Sequence, residues 1–208
     1  MEIEQLNIFD SNREYIGVAT REEVHRIGHW HETIHCWFVS RDFIYLQLRS
    51  NKKKDFPNLL DITAAGHLLA HETVRDGIRE IKEEIGIDVS FSELVSLGII
   101  EDCIIKENFT DQEFANVFLY VCNNTFDEFT LQIEEVSGIV KVQFDDFYAL
   151  CMGEKEEIKV KGFEISKEGE RVLIDKNVGR NKLVPHEKSY YESVVKLIKK
   201  YLTSTIRR

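Results

Sequence analysis

Apolar and polar residues alternate along most of the chain in short runs, a pattern that predicts a protein rich in strands. The run 113–121 is apolar on both faces, as expected of a strand at the centre of a sheet. Segment 159–172 is less regular and predicts either irregular structure or a hairpin. The other predicted strands lie at 6–9, 15–19, 33–39, 43–48, 59–63, 96–104 and 139–142.

Helical patterns flank these runs. Thr20 and Glu23 form a capping box before a short helix that extends to about residue 27. An acidic segment at 145–147 opens a second short helix. Pro185 precedes a closing amphipathic helix over about 188–202. Its expected inner face consists of Tyr191, Val194, Val195, Ile198 and Leu202.

A further helix is predicted from Val74 to Ile85, because the apolar residues between these ends are spaced by 4, 3 and 4 positions. Thr73 is the expected cap at its start, and Gly86 follows its last turn. This order of elements predicts an α+β fold in which helices pack outside a mixed sheet. We expect a single domain over 1–208, with an N-terminal hairpin at about 1–30 and a C-terminal helical extension at about 185–208.

Three acidic residues share one side of that helix. Glu80 lies three positions before Glu83 and four before Glu84, so their side chains project as neighbours. Like charges repel each other, and carboxylate oxygens are the ligands that Mg²⁺ and Mn²⁺ prefer. The cluster therefore indicates a metal site, although an ordinary solvated helix face could show the same pattern.

Composition narrows the class of protein. The 208 residues are 43% hydrophobic, which is enough for a core, and the net charge of −10 argues against nonspecific binding to nucleic acid. The sequence contains no run of about 18 apolar residues, so we expect no membrane span. Its start lacks the basic region and apolar core of a secretory signal. The four cysteines are scattered and form no CxxC pair, which favours reduced thiols over disulfides. We therefore expect a cytoplasmic protein.

The stretch from Gly66 to Ile87 resembles the Nudix box. Gly66 is followed by five residues and Glu72, and seven specified positions then match without a gap: Arg79, Glu80, Ile81, Glu83, Glu84, Gly86 and Ile87. Only six residues separate Glu72 from Arg79, where the family usually has seven. Either the loop is one residue shorter or His71 stands in the place of that glutamate.

The Nudix resemblance implies an α/β/α sandwich and hydrolysis of a diphosphate linkage in a small phosphorylated metabolite. Glu80, Glu83 and Glu84 would hold Mg²⁺ or Mn²⁺, and Arg79 would pair with a carboxylate and fix its orientation. Gly66 would allow the loop to approach the start of the helix closely, and Gly86 would end the helix. The general base stays open between Glu72, a box glutamate and the pair Glu134 and Glu135. The family also suggests a homodimer.

Segment 35–118 looks most like type 1 isopentenyl diphosphate isomerase and the hydrolases grouped with it. The similarity implies that Arg49 and Lys53 face a diphosphate, and that His35, His67 and Glu113 hold a separate metal ion. Ala65 stands where the isomerase has its catalytic cysteine. We therefore expect a hydrolase. An isomerase and a non-catalytic ligand sensor are the alternatives.

Overall fold

The computed structural model describes residues 4–205. The first three residues of the predicted N-terminal hairpin segment and the last three of the predicted C-terminal extension lie outside this range. The described strands are β1 (Gln5–Phe9), β2 (Tyr15–Thr20), β3 (Trp30–Val39), β4 (Phe43–Arg49), β5 (Leu60–Asp61), β6 (Ala64–His67), β7 (Leu94–Lys106), β8 (Phe109–Val121), β9 (Val136–Gln143), β10 (Glu157–Ile165) and β11 (Arg171–Gly179). The described α-helices are α1 (Arg21–Ile27), α2 (Arg79–Ile85), α3 (Phe144–Met152) and α4 (Lys188–Thr205).

The strands form one sheet in the order β11-β10-β9-β4-β3-β1-β2, with β5 paired to β4 and β6 paired to β3. Strand β8 runs parallel to β3 from Trp30↔Gln112 to Val39↔Val121, and β7 pairs with the other edge of β8. The other recorded strand pairs in the described chain are antiparallel. The sheet is therefore mixed, which confirms the predicted α+β class.

The two faces of β3 belong to different layers of the core. Cys36 and Phe38 pack in a cluster with Ile81 and Ile85 of α2, whereas Trp37 packs with residues of α3 and α4. Successive side chains of a strand point to opposite faces, so β3 contacts helices on both sides. This arrangement is the predicted sandwich, with the sheet between two helical layers.

The predicted helix from Val74 begins later than expected. Residues Asp76–Ile78 form a 3₁₀ turn, and α2 starts only at Arg79. Thr73 does not cap it; its hydroxyl donates to Asp76 Oδ2 at 2.7 Å. A Cβ on Gly77 would overlap the side chain of Leu68, so this turn packs more closely against the sheet than most residues allow. The prediction of the helix end is confirmed.

Gly86 ends α2 in the left-handed region, with φ of 74°, and its N–H donates to the Lys82 carbonyl. Segment 159–172 falls in the β10–β11 hairpin, which resolves the alternative left open by its pattern. The inner face of α4 includes the five expected residues and also Tyr190, which is fully buried. None of the described helices is long and apolar enough to cross a membrane.

Candidate active site

A cleft of about 1230 Å³ lies between the start of α2, helix α1, the ends of β3, β6 and β8, the loop after β4 and the segment before α4. Acidic residues of its lining include Glu80, Glu83, Glu84, Asp111, Glu113, Glu134 and Glu135. Basic residues include Arg21, Arg26, Arg49, Lys52, Lys53 and Lys54. Such a cleft presents both cation ligands and donors for phosphate groups.

Arg79 organises the acidic side of the cleft. Its Nε and Nη2 donate to the two carboxylate oxygens of Glu72 at 2.5 and 3.0 Å. Its Nη1 donates to Glu80 at 2.6 Å and to Glu83 at 3.0 Å. One guanidinium therefore fixes three carboxylates, and the fork geometry of arginine makes this possible where a lysine could not.

Glu72 takes the position opposite Arg79, and His71 beside it is exposed. This contact favours the shorter loop over an exchange of roles with His71. Burial alone would raise the pKa of Glu72, but hydrogen bonds from Arg79 and from the Leu69 N–H lower it. Glu72 is therefore held as an anion with both oxygens engaged.

The net pKa shift is in the opposite direction for two box glutamates, because burial outweighs their hydrogen bonds. Burial raises the pKa of Glu84 to about 8, with a further contribution from the charge of Glu80, and it raises the pKa of Glu80 to about 7. Glu84 Oε2 accepts hydrogen bonds from the Ala65 N–H at 3.1 Å and from Gln47 at 3.3 Å. Glu83, by contrast, is half-exposed. These carboxylates are crowded together in a way that a cation would relieve.

Gly66 leaves the space that Glu80 occupies. A Cβ at this position would overlap the carboxyl group of Glu80. The φ of Gly66 is not in the left-handed region, so close approach is the reason for glycine here. β6 and α2 thus come together at the acidic cluster.

The basic loop after β4 is tied to both sides of the cleft. Arg49 donates from Nη1 to Asp61 at 2.8 Å, and from Nε and Nη2 to the Asp55 carbonyl. Lys53 pairs with Glu135. Lys52 pairs with Glu134 at 3.3 Å, where both side chains are exposed. Both predicted substrate cations therefore line the cleft with an acidic partner.

A second group of possible ligands lies near α1. One ligand atom from each of four residues falls within 4.8 Å of the others: His25, His31, His67 and Asp111. Burial lowers the pKa of His31 and, more strongly, that of His67, so both rings are neutral near pH 7. Among the described residues, the buried atoms His31 Nε2 and Asp111 Oδ1 make no hydrogen bond of standard geometry, although they lie 3.4 Å apart and His25 Nε2 lies 3.3 Å from the same oxygen. Neutral imidazoles and a buried carboxylate oxygen suit a metal ion.

The structure divides the three residues that the sequence grouped as a separate metal site. His67 lies in this histidine cluster, 3.3 Å from His25 between their Nε2 atoms. His35 instead pairs with Glu113 at 3.1 Å and shares a 2.6 Å hydrogen bond with the hydroxyl of Tyr190. His25, His31 and Asp111 were missed, because they lie on three elements and form no local spacing pattern.

His186 is another cleft residue that sequence reasoning missed. It precedes α4 and is buried, with Nε2 2.9 Å from Asp61 Oδ1 and Nδ1 2.5 Å from Asp102 Oδ2. Burial would lower its pKa, but the two carboxylates raise it to about 10. The only signal in the sequence was its place directly after Pro185.

Relatives of the chain share most of its length. An uncharacterized Nudix hydrolase from Clostridium acetobutylicum is 37% identical over 203 residues, covering 95% of this chain and 98% of the relative. The chain belongs to the Nudix hydrolase family. Nudix hydrolase 3 from Arabidopsis thaliana is 32% identical over 152 residues, covering 69% of this chain and 20% of the plant protein. No protein-family model matches the chain.

Solved structures share the fold of this Nudix hydrolase. A protein from Deinococcus radiodurans aligns with a TM-score of 0.56 at 17% identity, covering 73% of this chain and 91% of that one. A MutT protein from Methanosarcina mazei aligns with a TM-score of 0.51 at 14% identity, covering 83% and 95% of the two chains. At these identities the alignments support the fold alone.

No cysteine is found among the described residues that line the cleft of this Nudix hydrolase. Cys36 and Cys151 are buried, and burial raises the pKa of both thiols, that of Cys151 to about 12. At Ala65, where the isomerase has its cysteine, only the backbone N–H contacts the acidic cluster. The cleft therefore offers carboxylates and cations, and none of its described residues offers a thiol.

Proposed function

We propose that this Nudix hydrolase cleaves a diphosphate linkage in a small phosphorylated metabolite, with Mg²⁺ or Mn²⁺ held by Glu80, Glu83 and Glu84. The observation that supports the proposal best is the pair of buried carboxylates at α2. Burial is the first cause that raises the pKa values of Glu80 and Glu84 to about 7 and 8, and the charge of Glu83 adds to the first value and that of Glu80 to the second. A divalent cation is the partner that would keep both residues ionised.

When bound, such a cation offsets the charge of phosphate oxygens and lowers the pKa of a water molecule. The protein residues have distinct tasks beside it. Arg79 fixes the orientation of the carboxylates, and Arg49 and Lys53 provide donors for the phosphate groups. Because both oxygens of Glu72 are engaged by Arg79, we assign Glu72 a positioning role.

The proton acceptor is then one of the remaining acids. Glu80 lines the cleft within the acidic cluster, whereas Glu134 is exposed and paired with Lys52. Glu135 pairs with Lys53 at the edge of the cleft. Single Gln variants of these three residues would separate them, because only the base variant loses the acidic limb of the activity profile, where activity rises with pH as the base is deprotonated.

We also propose a second metal centre at His25, His31, His67 and Asp111. Three imidazoles and one carboxylate match the ligands of Zn²⁺ or Mn²⁺ better than those of Mg²⁺. The specific support is that the buried atoms His31 Nε2 and Asp111 Oδ1 face each other at 3.4 Å without a hydrogen bond of standard geometry. This centre revises the set His35, His67 and Glu113 that the sequence suggested, retaining only His67.

The test is a product-release screen over nucleoside, sugar and isoprenoid diphosphates with Mg²⁺ and with Mn²⁺, together with the variant Glu83→Gln. We expect metal-dependent release from at least one compound and its loss in the variant. Turnover that survives Glu83→Gln would overturn the assignment of the site. Tight binding of a compound by calorimetry, without release of product across the screen, would favour the ligand sensor instead.

A further inference from the structure

The segment before α4 contains a buried cluster of charged residues that has no role in the proposed reaction so far. His186 lies between the carboxylates of Asp61 on β5 and Asp102 on β7. Asp102 also accepts a hydrogen bond from the Glu187 N–H at 2.9 Å, so it fixes the chain where α4 begins. The cluster thus joins the start of α4 to two strands beside the cleft.

The contacts of His186 define its charge. Each ring nitrogen lies within hydrogen-bond distance of a carboxylate oxygen, at 2.5 and 2.9 Å. An ionised carboxylate only accepts hydrogen bonds, so both ring nitrogens must donate. His186 is therefore an imidazolium. Its positive charge offsets the negative charges of Asp61 and Asp102, which are both almost fully buried.

Asp61 connects this imidazolium to Arg49. One oxygen of Asp61 accepts from His186 and the other accepts from Arg49 Nη1 at 2.8 Å. Arg49 also donates from Nε and Nη2 to the Asp55 carbonyl. These contacts engage three of the five N–H donors of a guanidinium, and Arg49 lines the cleft.

We propose that His186 is a positioning residue that holds the Asp61 carboxylate on Arg49 and thereby fixes the guanidinium for the phosphate groups of the substrate. The inference rests on the proposed function only in its last step, the contact between Arg49 and phosphate. His186 itself touches no substrate in this arrangement. Its effect is to restrict one cation of the cleft to a single orientation before a ligand arrives.

The first test observes Arg49 directly and needs no substrate. In ¹⁵N NMR spectra, we expect both ring nitrogens of His186 to be protonated near pH 7.5 and the Arg49 Nη1–H that donates to Asp61 to exchange slowly with water. In His186→Gln the side chain can donate from one end only, so one carboxylate loses its donor. Because the positive charge between Asp61 and Asp102 is lost as well, the Asp61 carboxylate is held less firmly. The Arg49 Nη1–H that donates to Asp61 should then exchange at least about tenfold faster, as expected for loss of a hydrogen bond to a charged group.

The matched control is Tyr191→Phe. It removes the 2.8 Å hydrogen bond from the Tyr191 hydroxyl to the Val184 carbonyl, so it loosens the same segment. The hydrogen bonds of His186 stay intact, and phenylalanine keeps the ring that lies 5.4 Å from the His186 ring. We expect its Arg49 signal to resemble that of the wild type. If His186→Gln fails to fold, the wild-type spectrum still decides, because a neutral His186 ring would overturn the proposal.

The second test measures binding of inorganic pyrophosphate by calorimetry in the presence of Mg²⁺. We expect His186→Gln to bind at least about tenfold more weakly, Arg49→Lys to lose a similar factor, and the double variant to lose little more than either. Additive losses, or wild-type affinity in His186→Gln, would overturn the proposal. If the wild type binds no pyrophosphate, the proposed function loses support, while the Arg49 spectrum still tests the positioning role.

Discussion

The acidic site at α2 and the histidine cluster near α1 open on the same cleft but are built in different ways. The acidic site comes from one continuous stretch, in which the helix brings Glu80, Glu83 and Glu84 together. The histidine cluster takes one residue each from α1, β3, β6 and β8. The first depends on local spacing, and the second depends on how strands pair.

Strand register explains how the histidine cluster forms. The antiparallel β3–β6 pair places His67 beside Thr33, which is two residues from His31 on the same face of β3. The parallel β3–β8 pair places His31 beside Glu113, which is two residues from Asp111 on the same face of β8. Helix α1 then packs His25 against the same place, with its ring 5.3 Å from that of His31. A parallel neighbour far along the chain cannot be inferred from spacing, so a site of this kind becomes visible only in the fold.

The two sites also differ in charge. Burial at α2 raises the pKa values of two carboxylates, whereas burial near α1 lowers those of two histidines. The acidic site therefore tends to hold protons near pH 7, and the histidine cluster tends to be free of them. The two proposed centres also have no residue in common, so a substitution can change one and leave the ligands of the other in place.

The largest expected effect is on turnover in Glu80→Gln. We expect a loss of about 10²–10³-fold, of the order found when one preorganised electrostatic group is removed from an active site. Metal content at the histidine cluster should not change, and the exposed Glu101 provides a control as Glu101→Gln. Equal rates for the two variants, measured by product release, would contradict the assignment of the acidic site.

The complementary change is His67→Gln. Loss of an outer-shell partner already weakens metal binding by about 10–100-fold, and we expect loss of a ligand to cost at least as much. Elemental analysis after dialysis would measure this, with the exposed His71 as the control variant His71→Gln. Retention of the same metal content in His67→Gln would remove the second centre from the account.

A smaller effect is expected for Arg79→Lys. Lysine keeps the charge but cannot bond Glu72 on two oxygens while it holds Glu80 and Glu83. We expect turnover to fall by about tenfold, the lower end of the range for residues that orient metal ligands. Arg75→Lys on the exposed turn before α2 is the control. Unchanged turnover in Arg79→Lys would mean that charge alone suffices there.

The smallest effect concerns pH and the metal-free protein. Folded Glu84 keeps its proton up to a pKa of about 8, whereas the unfolded chain loses it near 4.5, so stability falls as pH rises between these values. The lowered pKa values of His31 and His67 contribute a rise in stability with pH that fades above about pH 7.5, where the unfolded histidines are neutral too. His186, with its raised pKa, contributes a fall, as Glu84 does.

Comparison with Glu84→Gln isolates the contribution of Glu84. Between pH 6.5 and 8, in the presence of a chelator, the free energy of unfolding of the wild type should fall by about 2 kcal/mol more than that of Glu84→Gln, since each pKa unit corresponds to about 1.4 kcal/mol. Urea unfolding at each pH would measure the difference. Parallel pH profiles for the two proteins would show that Glu84 is already ionised in the folded state.

The sequence predicted features that depend on near neighbours. Most strand positions, the end of α2 at Gly86 and the inner face of α4 follow from periodicity and from glycine conformation. The start of α2 was placed too early, because the apolar spacing continues through Val74 and Ile78 while Gly77 and Asp76 form a 3₁₀ turn. Periodicity does not distinguish a helix from a turn that packs one face on a sheet.

Contacts between distant segments could not be predicted in the same way. His186 lies 125 positions from Asp61 and 84 from Asp102, and only the packing of α4 beside β5 and β7 brings them together. The pairing of Arg49 with Asp61 likewise needs the β4–β5 contact. These residues are polar, buried and isolated in sequence, so neither composition nor spacing indicates their role.

The central claim is that water attacks phosphorus at the acidic site, and isotope labelling tests it most directly. The compound identified by the release screen would be turned over in H₂¹⁸O with Mg²⁺, and the products analysed by mass spectrometry. We predict one ¹⁸O atom in a phosphate group of a product, and none above background with Glu83→Gln. A product without ¹⁸O in any phosphate group would contradict the account.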